Sequence, residues 1–221
     1  MGKNMSALYK FETRLTKREK KILEKLTTPA RIQNFLDAVP YSTEAVYRCP
    51  LSVLRDQVAH CFDGALFAAA VMRRIGYPPL IMNLIPNHRD DDHVLALFRT
   101  GRHWGAVAKS NFTGLRFREP IFRTLRELVL SYFEQYYNTA GEKTLRGYTR
   151  PLNLEIFDRQ GWMVNDRPLE FIATKLDRIR RFPLLTRSMI SRLQPVDRRS
   201  HRAGLVGADR KGLFSPVKKT R

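Results

Sequence analysis

Cysteine is almost absent: 221 residues contain two, Cys49 and Cys61. Two thiols are too few for a disulfide framework or a zinc cage, and nothing in the chain asks them to pair. A reducing, cytoplasmic setting is the simplest expectation. Long apolar runs are missing as well. No stretch approaches the roughly 20 apolar residues of a membrane span, and no secretory pattern opens the chain, so no transmembrane segment is expected. Acidic residues are the third shortage, with 21 Asp and Glu against 40 Lys and Arg and a formal charge of +19.

That charge is uneven. Residues 1–26 carry eight Lys or Arg against Glu12, Glu19 and Glu24, and residues 171–221 carry fourteen against Asp177, Asp197 and Asp209. The middle is nearly balanced. A near-neutral body with basic ends predicts a basic N-terminal extension at 1–26, a folded domain at 27–182 and a basic, partly disordered tail at 183–221. Such arms suit nucleic acid, an anionic membrane or an acidic partner, or they are solvated extensions. Met1-Gly2-Lys3-Asn4-Met5-Ser6 also matches the short N-myristoylation pattern. With 43% hydrophobic residues the body has enough to form a core.

One stretch organises that body. From Phe62 to Arg74 the chain is apolar on nearly every side, which predicts a helix buried in a core. Arg73 and Arg74 suit its C-terminal dipole, Gly76 supplies a left-handed stop and Pro78 forbids continuation. Cys61 therefore falls at the helix head, where unpaired N–H groups and the positive dipole end favour a thiolate. A cysteine in mid-helix would be a small hydrophobe; at the head it is a candidate nucleophile, although buried free cysteine is common.

Around it, Thr28-Pro29 opens a helix whose Ile32, Phe35 and Leu36 share one face. Leu80–Ile85 reads as a buried strand and Pro86–Asp92 as a polar turn. His93–Arg99 is a second strand, and Thr100-Gly101-Arg102 turns it into a third over His103–Ala108. Thr124-Leu125-Arg126-Glu127 is a capping box for a helix to about Tyr137. Gly141 and Gly147 mark a loop, Leu152–Phe157 a possible strand, and Asp166-Arg167-Pro168 caps a last helix to about Phe182.

This order, with Cys61-Phe62-Asp63 through Arg73-Arg74-Ile75-Gly76-Tyr77-Pro78 and then His93-Val94 opening a strand, resembles the transglutaminase-like branch of the papain-like cysteine enzymes. Trp104 stands where that family's tryptophan precedes the third catalytic residue. The resemblance covers about residues 52–112. It implies an α+β fold with the Cys-bearing helix packed on a small antiparallel sheet, and a Cys61–His93 pair. The family's acid is missing, because Gly105–Asn111 contains no Asp or Glu. Asn111 is the substitute, since an amide carbonyl can accept from an imidazole N–H and hold the ring; Asp92 is the other candidate. The alternative for Asn111 is a turn residue beside Gly114.

The chemistry implied is acyl transfer on a peptide or protein amide. Cys61 attacks the carbonyl, His93 protonates the departing amine, and water or an amine takes the acyl group. No cofactor is implied. His60 and His103 compete with His93 as bases. Asp90, Asp91 and Asp92 with His88 could ligate a hard cation, but a run of like charges in a turn is usually solvated, so no metal is expected. The reading from a different class is a degraded, non-catalytic member of the fold that binds an acidic partner through its basic arms.

Overall fold

The computed structural model describes residues 6–216, and over these the protein is α+β. Gly2 and the last basic residues lie outside the described residues. Four helices come first: α1 (Ala7–Arg14), α2 (Lys17–Glu24), α3 (Pro29–Ala38) and α4 (Pro50–Asp56). The central helix α5 (Cys61–Arg74) follows, then strands β1 (Leu80–Pro86), β2 (His93–Thr100), β3 (His103–Val107) and β4 (Arg118–Phe122). The remainder is α6 (Leu125–Phe133), β5 (Leu145–Thr149), β6 (Leu152–Asn153), α7 (Leu169–Arg178), β7 (Arg181–Pro183), α8 (Arg187–Ile190) and α9 (Arg198–Gly204). All strand pairs are antiparallel. They run in the order β4-β3-β2-β1-β5-β7, with β6 on β1.

Alternation along the strands divides the core in two. Ile81, Val94, Ala96, Phe98 and Val107 join α5 on one face, while Met82, Leu84, Leu95, Leu97 and Ala106 join Leu128, Val129 and Tyr132 of α6 on the other. From Phe62 to Met72 every residue of α5 is buried, as a helix apolar on nearly every side requires. Helices α3, α4 and α7 cover the side of α5 turned from the sheet. The helix ends at Ile75, with Gly76 at φ 95° turning the chain into β1.

The N-terminal segment, expected as an extension, packs into this core. Phe11, Leu15, Leu23 and Leu26 are buried in it, Arg74 pairs with Glu12, and Arg55 pairs with Glu19 at 3.0 Å. Its lysines and arginines form the solvated face of amphipathic helices. The tail also follows an anchored path. Tyr137 donates to the Ser200 carbonyl at 2.9 Å, Thr113 to the Ala203 carbonyl at 3.2 Å, and Val196 N–H to the Gly141 carbonyl at 2.9 Å.

Three elements differ from the sequence expectation, the first being the helix expected to reach about Phe182, which stops at Arg178 and gives way to strand β7. The loop expected around Gly147 is strand β5, beside β1; Gly147 is there because the Phe182 carbonyl comes within 2.7 Å of where a Cβ would stand. The strand expected over Leu152–Phe157 lasts two residues before a 3₁₀ turn from Leu154 to Gln160.

The seat of α5 is tight at its second turn. A Cβ on Gly64 would lie 2.3 Å from the Lys109 Cβ, which cannot swing away as a side-chain tip could. Lys109 is itself held, its ammonium donating to the Leu36 carbonyl at 2.8 Å and to the Val39 carbonyl at the end of α3. Gly64→Ala is therefore expected to destabilise the fold by about 1–3 kcal/mol despite the better helix propensity of alanine. Chemical denaturation of the two proteins measures it.

Candidate active site

Cys61 is the first residue of α5, and its position is set by a reciprocal cap. The His60 imidazole accepts from the Phe62 N–H at 3.2 Å, and the buried Asp63 carboxylate accepts from the His60 N–H at 3.3 Å. Asp63 also accepts from the Arg48 N–H at 2.8 Å, which ties the loop before α4 to the helix head. Burial pushes the Asp63 carboxyl up to about 7 and the His60 imidazole down to about 4, so near neutral pH the ring is uncharged and the carboxyl is only partly ionised.

The half-buried Cys61 sulfur lies between two hollows. The larger, about 430 Å³, is walled by Tyr41, Tyr47, His60, Asp92 and Asp177 among others, and by Lys211–Phe214 of the tail. The smaller, about 60 Å³, brings Cys61 together with His93 and Asn111, beside Tyr136, Leu115 and Gly212. All three residues singled out from sequence thus share one cavity. The alternation of β2 directs Val94 toward α5 and His93 toward α6, and Cys61 and His93 both line the smaller hollow where β2 begins.

Cys61 is a protonated thiol in this setting. Burial and the Asp92 and Asp91 carboxylates push it well above the ordinary range, and the Val94 N–H at the sulfur offsets only part of this. The Asp92 carbonyl stands 4.0 Å from Sγ, and the Tyr41 hydroxyl receives the Cys61 backbone N–H. The thiolate that a helix head favours is countered by carboxylates.

His93 is buried, and its Nε2 bonds the Leu115 carbonyl at 2.8 Å. A carbonyl only accepts, so Nε2 carries the proton and Nδ1 is the basic nitrogen. Burial pushes the ring down to about 4, leaving it neutral at physiological pH. The residue that fixes its tautomer is therefore a backbone carbonyl. The hydrogen bond expected from Asn111 is not made. The Asn111 amide bonds the Asp209 backbone instead, donating to its carbonyl at 2.7 Å and accepting its N–H at 2.8 Å.

The other candidates fall in distinct places. His103 lies at the opposite end of β2 and β3, in a hollow with Arg99, Arg102 and Arg123, too far away to act on Cys61. The acidic turn is pinned rather than freely solvated. Thr144 donates to Asp90, Asn83 to Asp92, and Tyr136 to the Asp91 carbonyl at 2.9 Å. Among the described residues no cluster of His, Cys, Asp and Glu could hold a metal ion, and no helix is long and apolar enough to cross a membrane.

Sequence reasoning missed Tyr41, the Leu115 carbonyl and the tail strap. A backbone carbonyl leaves no trace in residue identity, whereas Gly212 between Lys211 and Leu213 was a legible sign of a tight approach. No protein-family model and no curated protein matches the chain.

The His93 ring carries a pH signature. Its pKa is near 4 folded and 6.5 unfolded, so between these values the unfolded chain binds more protons and stability is lost as pH falls. Between pH 6.5 and 4 the wild type is expected to lose on the order of 3 kcal/mol more than His93→Gln. Denaturation midpoints measured across that window give the difference.

Proposed function

We propose that this protein is a transglutaminase-like cysteine enzyme that transfers acyl groups from amide or peptide substrates. One observation carries the reading: a cysteine at the first position of a helix buried from Phe62 to Met72 lines the same small cavity as a buried histidine whose tautomer is fixed. The resting pair is a neutral thiol and a neutral imidazole, not a preformed ion pair. As Cys61 attacks the substrate carbonyl, Nδ1 of His93 takes the thiol proton directly or through one water, for which the roughly 60 Å³ cavity has room. The imidazolium then gives that proton to the leaving amine. The resulting thioester on Cys61 passes its acyl group to water or to a second amine, and the thiol is regenerated. The Cys61 N–H, now on the Tyr41 hydroxyl, is the available donor for the oxyanion.

A second reading has an observation of its own. Carboxylates crowd the sulfur, which suits a fold kept for binding alone. Screening quenched-fluorescent peptides and amides against the full chain separates the two. Under the enzyme reading, Cys61→Ala abolishes turnover, and His93→Gln lowers kcat by at least ~100-fold with an unchanged melt. The acidic limb of kcat/KM falls near pH 4, where the free ring protonates, instead of near 6.5. Turnover that survives Cys61→Ala would refute the reading.

A further inference from the structure

The C-terminal strap crosses the Cys61 cleft, and its contacts are those of a peptide in a binding site. The Asn111 amide grips Asp209 by both backbone groups, at 2.7 and 2.8 Å, as a neighbouring strand would, without reference to its side chain. Two N–H groups then close a short turn over Arg210–Gly212: Gly212 donates to the Asp209 carbonyl at 3.1 Å, and Lys211 to the Asp209 carboxylate at 2.9 Å. Past the turn the chain extends, and Thr139 donates to the Phe214 carbonyl at 3.3 Å.

At the turn's end only glycine fits. A Cβ on Gly212 would lie 2.8 Å from Tyr41 Cδ1 and 3.1 Å from Asn111 Nδ2. Tyr41 is half-buried and its backbone is bridged to Ala59 just before α5, while Asn111 is committed to Asp209, so a methyl there displaces one or the other. Charge adds a second filter. The large hollow is walled by Glu44, Asp91, Asp92 and Asp177, and among the described residues Lys211 is the single Lys or Arg on its wall. In a chain of net charge +19 that is a local reversal, and it faces a basic residue.

We propose that residues 209–214 are a built-in occupant of this cleft, and that the ligands it takes from elsewhere are peptide segments with a basic residue directly before a glycine. This deepens the acyl-transfer reading by naming its substrate class, and it rests on that reading only for turnover. Gly212 and Phe214 wall both hollows, so the occupied strap closes Cys61 to competing peptides.

The test uses the full chain and a synthetic peptide of residues 207–216, with a second peptide carrying alanine at the Gly212 position. Gly212→Ala places a methyl against Tyr41, and Asp209→Pro removes the N–H that Asn111 accepts; both changes lie in the partly or fully exposed strap. Iodoacetamide modification of Cys61, assigned by peptide mass mapping because Cys49 is buried, should accelerate about tenfold or more in each variant. The glycine peptide added in trans should suppress that gain and should bind Asp209→Pro at least about tenfold more tightly than the alanine peptide does. Wild-type alkylation rates in both variants, with intact cooperative melts, would overturn the proposal. Equal binding of the two peptides would do so as well. Glycine-selective binding without cleavage or acylation would support the recognition and sink the acyl-transfer chemistry, so the two failures are separable.

Discussion

Everything at the site follows from the burial that helix α5 demands. A helix apolar on all sides has one stable place, between a sheet and a layer of other helices. Here β1 and β2 lie against one side, and α3, α4 and α7 cover the other. Once the helix is seated, Cys61 stands at the end of the sheet, beside the turn that carries Asp90–Asp92 and the start of β2. The contact of Gly64 with Lys109 and the Asp63 cap set its depth and direction. The chemistry is placed by packing.

Electrostatics then decide what kind of cysteine this is. A helix N-terminus lowers a thiol's pKa, but burial and three nearby aspartates act the other way and prevail. His93 is also neutral, held by an uncharged carbonyl. In the proposed mechanism two neutral partners suffice, because the thiolate is needed only in the transition state. The same carboxylates give a strongly basic protein an acidic cleft. The fully buried Cys49 differs: its thiol, pushed up to about 11 chiefly by burial, has Ser52 at 3.3 Å and walls neither hollow.

Much of the fold was legible because its decisive signals are local. The run after Cys61, apolar on nearly every side, predicted α5, Thr28-Pro29 predicted the start of α3, and Thr100-Gly101-Arg102 predicted the β2–β3 hairpin, where Gly101 takes φ 57°. Strand β5 was hidden because its Gly147 answers a neighbour more than 30 residues away, a requirement that resembles a loop signal. Charge misdirected the reading of the ends: lysines and arginines on the outer faces of α1 and α2 obscured Phe11 and Leu23, which are buried. At the candidate site, Cys61, His93 and Asn111, the three residues singled out from sequence, line one cavity. The partner of each amide and ring nitrogen was not, since Leu115 and Asp209 contribute backbone atoms that any residue could supply.

The central claim is that His93 is a neutral base with its proton on Nε2, turned toward Leu115. Nitrogen-15 NMR of histidine-labelled protein reads this directly, through the shifts and couplings of the two ring nitrogens. At about pH 7 the His93 ring should be the neutral Nε2–H tautomer, and it should remain so until the pH approaches its folded value near 4. A ring charged at pH 7, or one carrying its proton on Nδ1, would leave no free lone pair there to receive the Cys61 proton and would contradict the mechanism.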